Sequence, residues 1–120
     1  MKKKVIAIFE DDPVNRFIYQ QIFQDREDVE AHIFDNPEVG IAAGRQTAFD
    51  IVFIEIHFWG NFGGISILNK LMDVTSEHTT FVAMTALLQQ GDLEKILTSG
   101  FSLCFEKPVV FSEIDLCKLK

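Results

Sequence analysis

Five short apolar runs, separated by longer stretches with apolar residues at helical spacing, constrain the fold of this chain more than any other feature. They are Val5–Phe9, Val29–Phe34, Ile51–Ile54, Thr80–Met84 and Ser102–Phe105. Short runs rich in β-branched residues read as strands buried on both faces, and the stretches between them as covering helices. Asp12 and Pro13 suit a helix N-cap and first turn, followed by Val14, Phe17, Ile18 and Ile22 at helical spacing through about Gln24. Asn36-Pro37 opens a short second helix that Gly44 is expected to stop. Gly63-Gly64 precede a third, with Ile65, Leu68, Leu71 and Met72 on one side. Asp92–Ser99 reads as a fourth, with Leu93, Ile96 and Leu97 inward and Gly100 ending it; a last helix holds Ile114, Cys117 and Leu119. Right-handed crossovers leave few ways to close five such units. The expected fold is α/β: a (βα)5 doubly wound parallel five-stranded sheet of order 2-1-3-4-5, flavodoxin-like, with residues 1–120 as one domain.

In such sheets ligands bind beyond the carboxyl ends of the strands, beside the switch point. That rule gathers Glu10 and Asp11 after the first strand, Glu55 after the third, Thr85 after the fourth and Lys107 after the fifth. Three converging carboxylates repel one another and raise their own pKa values unless a cation compensates. Mg²⁺ is a natural partner, taking one or two carboxylates and keeping several waters. Lys107 is the other candidate cation. Carboxylates, a cation and a hydroxyl are the equipment of phosphoryl transfer, where charge on the transferred group must be stabilised. Solvated acids at loop starts are the plainer alternative, and the acid pair alone would carry little weight.

Composition removes other classes. Apolar content of 48% with 24% charged residues fits an ordinary globular domain, and a net charge of -7 argues against nucleic-acid binding. The Lys2–Lys4 start leads into an apolar stretch too short for a secretory signal, and no run nears the roughly 20 apolar residues of a membrane span, so no membrane insertion and a cytoplasmic location are expected. Cys104 and Cys117 lack metal or redox spacing, and His32, His57 and His78 form no ligand set. A Gly-rich phosphate loop, a nucleophile elbow and an adenine-binding motif are all missing, so the chain does not read as an enzyme.

Taken in order, Glu10-Asp11-Asp12-Pro13-Val14-Asn15-Arg16, Asp50–Ile56, Thr85-Ala86-Leu87 with Gly91-Asp92, and Gly100 with Lys107-Pro108 resemble the receiver domain of two-component response regulators, the CheY-like fold, over essentially the whole chain. The resemblance implies Mg²⁺ on Glu10, Asp11 and Glu55, phosphoryl contacts from Thr85 and Lys107, and a switch pair at Thr85 and Cys104. Three departures stand out: the acceptor aspartate is Glu55, the proline four residues later is Trp59, and the switch aromatic is Cys104, with Phe105 expected to point into the core. Glu55 extends the acceptor by one carbon, about 1.5 Å. Misplacement of a reacting group by about 1 Å can cost on the order of 10²-fold in rate.

The leading expectation is therefore an atypical receiver in two-component signalling. It would act as a protein-interaction module without a normal aspartyl-phosphate cycle, and Mg²⁺ would be weak or absent. A Mg²⁺-dependent acceptor modified at Glu55 is a second reading, and a structural remnant with a fixed Glu55–Lys107 pair is a third. Expected partners are signalling proteins: a histidine kinase, a phosphotransfer protein or an output protein. Phe58, Trp59 and Phe62 would form an interaction patch if exposed together, and would plug the cleft if folded inward. Tyr19 and Phe23 lie off the main stripe of the first helix and are expected to flank a broad buried face, the alternative being donor docking, since receivers often meet the phosphodonor on this helix. The fourth helix, fifth strand and fifth helix, around Asp92–Ile96, Cys104 and Ile114–Lys118, form the face through which receivers often pair as homodimers. No output domain follows Lys120 in the sequence, so a signal is expected to leave through another protein.

Overall fold

Asp50 registers the start of the sheet: its carboxylate accepts the Val5 N–H (2.8 Å), and its own N–H donates to the Val5 carbonyl (2.8 Å). A computed structural model describes residues 3–86, 88–113 and 115–116. Its elements run β1 (Lys4–Phe9), α1 (Pro13–Phe23), β2 (Val29–Phe34), α2 (Pro37–Gln46), β3 (Ile51–Glu55), α3 (Gly63–Met72), β4 (Thr80–Thr85), α4 (Asp92–Thr98) and β5 (Leu103–Glu106). All pairings are parallel and the strand order is β2-β1-β3-β4-β5, the expected topology. A 3-10 turn at Phe111–Glu113 follows, and the expected last helix, with Ile114, Cys117 and Leu119, lies outside the described residues.

Alternation along the central strands sends successive side chains to two separate cores. Ala7, Phe9, Val52, Ile54 and Ala83 pack with Ile41, Ile67, Leu68, Leu71 and Ile96 on one face. Ile6, Ile8, Ile51, Phe53, Val82 and Met84 pack with Tyr19, Phe23 and Phe111 on the other. Phe111 centres the second core, its ring 5.0–5.1 Å from those of Tyr19, Phe23 and Phe53. Edge-to-face pairs of this kind add about 0.5–1.5 kcal/mol each beyond area burial.

Caps fall where the sequence placed them. Asp12 accepts the Val14 N–H (2.8 Å), and Asn36 accepts those of Glu38 (2.9 Å) and Val39 (3.2 Å).

The helix faces differ from expectation. On α1 the buried residues are Tyr19, at 3% exposure, and Phe23, whereas Val14, Phe17 (61% exposed) and Ile18 face out and only Ile22 of the expected stripe packs inward. Residues two apart on a helix point to nearly opposite sides, so the aromatic pair that meets Phe111 forces Phe17 outward. On α3 Ile67 is buried in place of Met72, and on α4 Ile96 is buried while Leu93 and Leu97 are exposed. Gly44 stops nothing: it lies buried inside α2, where an added Cβ would stand 3.2 Å from the Leu71 side chain.

Candidate functional site

Strand register assembles the cleft. Phe9 lies opposite Ile54, so Glu10 and Glu55 leave the sheet side by side from β1 and β3. Thr85 lies opposite Glu106, which sets Lys107 one residue beyond; its N–H donates to the Thr85 carbonyl (2.8 Å). From the end of β5 the Lys107 side chain reaches across the strand ends to both glutamates. Its Nζ stands 2.5 Å from Glu10 Oε1 and 2.5 Å from Glu55 Oε1.

The remaining oxygens of both acids are taken by main chain. Glu10 Oε2 accepts the Asp12 N–H (3.2 Å), and Glu55 Oε2 accepts the His57 N–H (2.9 Å). Glu10 is 0% exposed and Glu55 6%, and apart from the ion pair Glu10 Oε1 has no hydrogen-bond partner among the described residues. Burial raises the Glu10 carboxyl above its ordinary value, although Lys107 and the Asp12 N–H pull the other way. Burial alone would lower Lys107, but Glu10 and Glu55 outweigh it and hold the ammonium above its ordinary value. Thr85 is fully buried beside this bridge at the end of β4.

Asp11 is turned elsewhere. Its Oδ2 accepts the Trp59 N–H (3.0 Å), across 48 residues of sequence. As arranged, the expected Mg²⁺ ligands do not fit a metal: an ammonium sits between Glu10 and Glu55, and Asp11 is committed to the β3–α3 loop. Among the described residues no three His, Cys, Asp or Glu side chains converge as a ligand set.

The sequence profile of the response regulator receiver domain matches residues 6–117. The chain belongs to this receiver family. A comparison with curated protein sequences finds no significant match. Solved structures share the fold. A response regulator from Burkholderia pseudomallei, with a phosphorylated aspartic acid, calcium ion and citrate, superposes with a TM-score of 0.81 at 17% identity, covering 98% of this chain and 67% of that one. The CheY-like receiver domain of Methylobacillus flagellatus gives 0.76 at 19% identity, with 92% of each chain covered. The Saccharomyces cerevisiae receiver domain of Ssk1, crystallised with the histidine phosphotransfer protein Ypd1, gives 0.76 at 20% identity, covering 92% of this chain and 83% of that one.

In this receiver domain the three loop aromatics part company. Phe58 is buried in the first core, and Phe62 packs against that core beneath the Lys95 ammonium, 3.8 Å from its ring centroid. Trp59 is 67% exposed. They form neither a joint patch nor a joint plug. Cys104 is half-buried against the first core and Phe105 packs on the second, as the strand alternation requires. The Cys104 thiol is pushed up by burial and then by the Glu106 and Glu55 charges, which leaves it a poor nucleophile.

Two further residues hold the loops around the cleft: Arg16 escaped the sequence reading, whereas His57 makes the loop hydrogen bond expected of it. Arg16 Nη1 donates to the carbonyls of Glu10 (3.1 Å) and Asp11 (2.8 Å), holding the acidic loop from α1. His57 accepts the Phe62 N–H at Nδ1 (3.2 Å) and so folds the loop that supplies the Glu55 cap. Arg16 ends the acidic segment that begins at Glu10, but nothing in spacing reveals which carbonyls a guanidinium reaches.

Proposed function

We propose that this domain is an atypical receiver of two-component signalling, a protein-interaction module that does not run a normal aspartyl-phosphate cycle. Glu55 stands at the acceptor position, and the observation that carries the reading is its engagement. One carboxylate oxygen is on Lys107 and the other on the His57 N–H, with the side chain almost wholly buried. Each oxygen keeps a second lone pair, but the two contacts and burial fix the carboxylate's orientation, so aligning an oxygen with a donor means turning the group against both contacts. A glutamate carries at most one negative charge, against roughly two on a phosphoryl group, so Glu55 is a partial and permanent stand-in for it. Thr85 and Cys104 occupy the switch positions, and Cys104 lacks the ring that would carry a relay to the surface.

The partner side is supported by α1. Val14, Phe17 and Ile18 form an exposed apolar stripe next to the cleft, suited to a histidine kinase or a phosphotransfer protein of the kind crystallised with the yeast receiver. A second copy is the occupant proposed for the α4–β5 face, where Leu93, Leu97 and Leu103 are exposed.

The deciding experiment is intact mass after incubation with Mg²⁺ and acetyl phosphate, with Glu55→Asp run in parallel. The expected result is a phosphoryl adduct on the variant alone. An adduct on the parent protein, mapped to Glu55, would overturn the proposal and make the domain a working glutamyl switch.

A further inference from the structure

We infer that the work of a divalent cation at this cleft is done from within the chain, by the Lys107 ammonium on Glu10 and Glu55 and by the Trp59 N–H on Asp11. Two buried carboxylates at one strand end need a positive charge between them, and Lys107 Nζ stands 2.5 Å from an oxygen of each. That ammonium is covalently tethered to β5, so it cannot diffuse away and no chelator removes it.

The third acid is engaged differently. Trp59 has φ 55°, in the left-handed region that a bulky residue enters only under constraint, and Gly60 (φ 131°) and Phe62 (φ 57°) continue the same distorted loop. The bond from the Trp59 N–H to Asp11 Oδ2 opposes that strain, and it holds the exposed indole above a groove floored by Ile41, Phe58 and Ile67 between α2 and α3. A cation drawing Asp11 into the cleft would have to take it from Trp59. Asp11 is thus a positioning residue for the β3–α3 loop.

Trp59 is the only tryptophan in the chain, so its emission reads the loop directly. In the parent protein, millimolar Mg²⁺ and excess chelator should give the same Tm and the same Trp59 emission. Lys107→Met should be destabilised in chelator, and Mg²⁺ should raise its Tm by at least about 3 °C while moving Trp59 emission. Where that variant folds only in Mg²⁺, the inference is upheld. Where it folds in neither condition, or folds and ignores Mg²⁺, it is overturned, as it is by a Mg²⁺-dependent Tm or emission shift in the parent. Asp11→Asn keeps an acceptor for the Trp59 N–H and should leave emission unchanged, whereas Asp11→Ala should shift it; equal spectra for the two overturn the loop clamp. The inference uses the cleft of the proposed function but fails separately, because cation titration reads charge and the mass experiment reads phosphoryl transfer.

Discussion

Buried charge governs the behaviour of individual residues around this cleft, and Tyr19 reports on it. Burial is the main cause that raises its phenol to about 12, and the Glu10 charge adds to it. The folded state therefore holds this proton more tightly than the unfolded chain, in which tyrosine ionises near pH 10. Its stabilising effect is complete below pH 10 and is lost as pH rises through about 12; a shift of about two pH units corresponds to roughly 2–3 kcal/mol. Tyr19 is the only tyrosine, so tyrosinate absorbance follows it without ambiguity. The expected titration has its midpoint near 12 or coincides with alkaline unfolding. A reversible midpoint near 10, with the fold intact, would show the phenol to be free of both burial and the Glu10 charge.

At the scale of elements, the junction between β3 and α3 is where backbone geometry sets the site. Gly64 donates to the Ile56 carbonyl (2.7 Å), and a Cβ there would stand 2.4 Å from the Glu55 carbonyl oxygen and 2.9 Å from the Ile56 Cα. Main chain cannot step aside as a side-chain tip can. Gly64→Ala should lower stability by about 2–4 kcal/mol in a denaturant titration, more than any helix-propensity gain returns. A near-neutral effect would mean that α3 docks less tightly on β3 than the geometry gives. The same junction separates what sequence reveals from what it does not. Strand ends were legible, because apolar runs fix β1, β3, β4 and β5 and the switch-point rule then gathers Glu10, Glu55, Thr85 and Lys107. The left-handed Trp59 and Phe62 were not, since neither is a residue type that announces positive φ. Helix faces failed for a related reason. Val14, Phe17 and Ile18 match an inward stripe as well as Tyr19 and Phe23 do, and the choice belongs to Phe111, a partner about ninety residues further along the chain. Leu93, Leu97 and Met72 were placed inward on spacing alone, and each is exposed because Ile96 on α4 and Ile67, Leu68 and Leu71 on α3 take the contact with the sheet.

Viewed as a whole, the molecule leaves apolar side chains exposed on surfaces that the cleft does not use. No helix among the described residues is long and apolar enough to cross a membrane. Val14, Phe17 and Ile18 border the acidic loop on α1, while Leu93, Leu97 and Leu103 mark α4 and the edge strand β5. The two patches sit on different elements at opposite ends of the strand order, since α1 follows β1 while α4 precedes β5. Docking of a signalling partner and pairing of two copies should therefore be separable by mutation. Phe17→Ser removes an exposed ring and should alter stability by no more than about 0.5 kcal/mol. It should weaken binding to a histidine phosphotransfer protein by about tenfold or more in titration calorimetry, as loss of an aromatic anchor does, and leave self-association unchanged. Leu97→Asp should do the reverse, lowering the dimer fraction in sedimentation equilibrium while the phosphotransfer protein still binds, because a charge on an apolar face is costly to desolvate. If either variant abolishes both associations, the two surfaces act as one, and the assignment of separate partners to α1 and to the α4–β5 face fails.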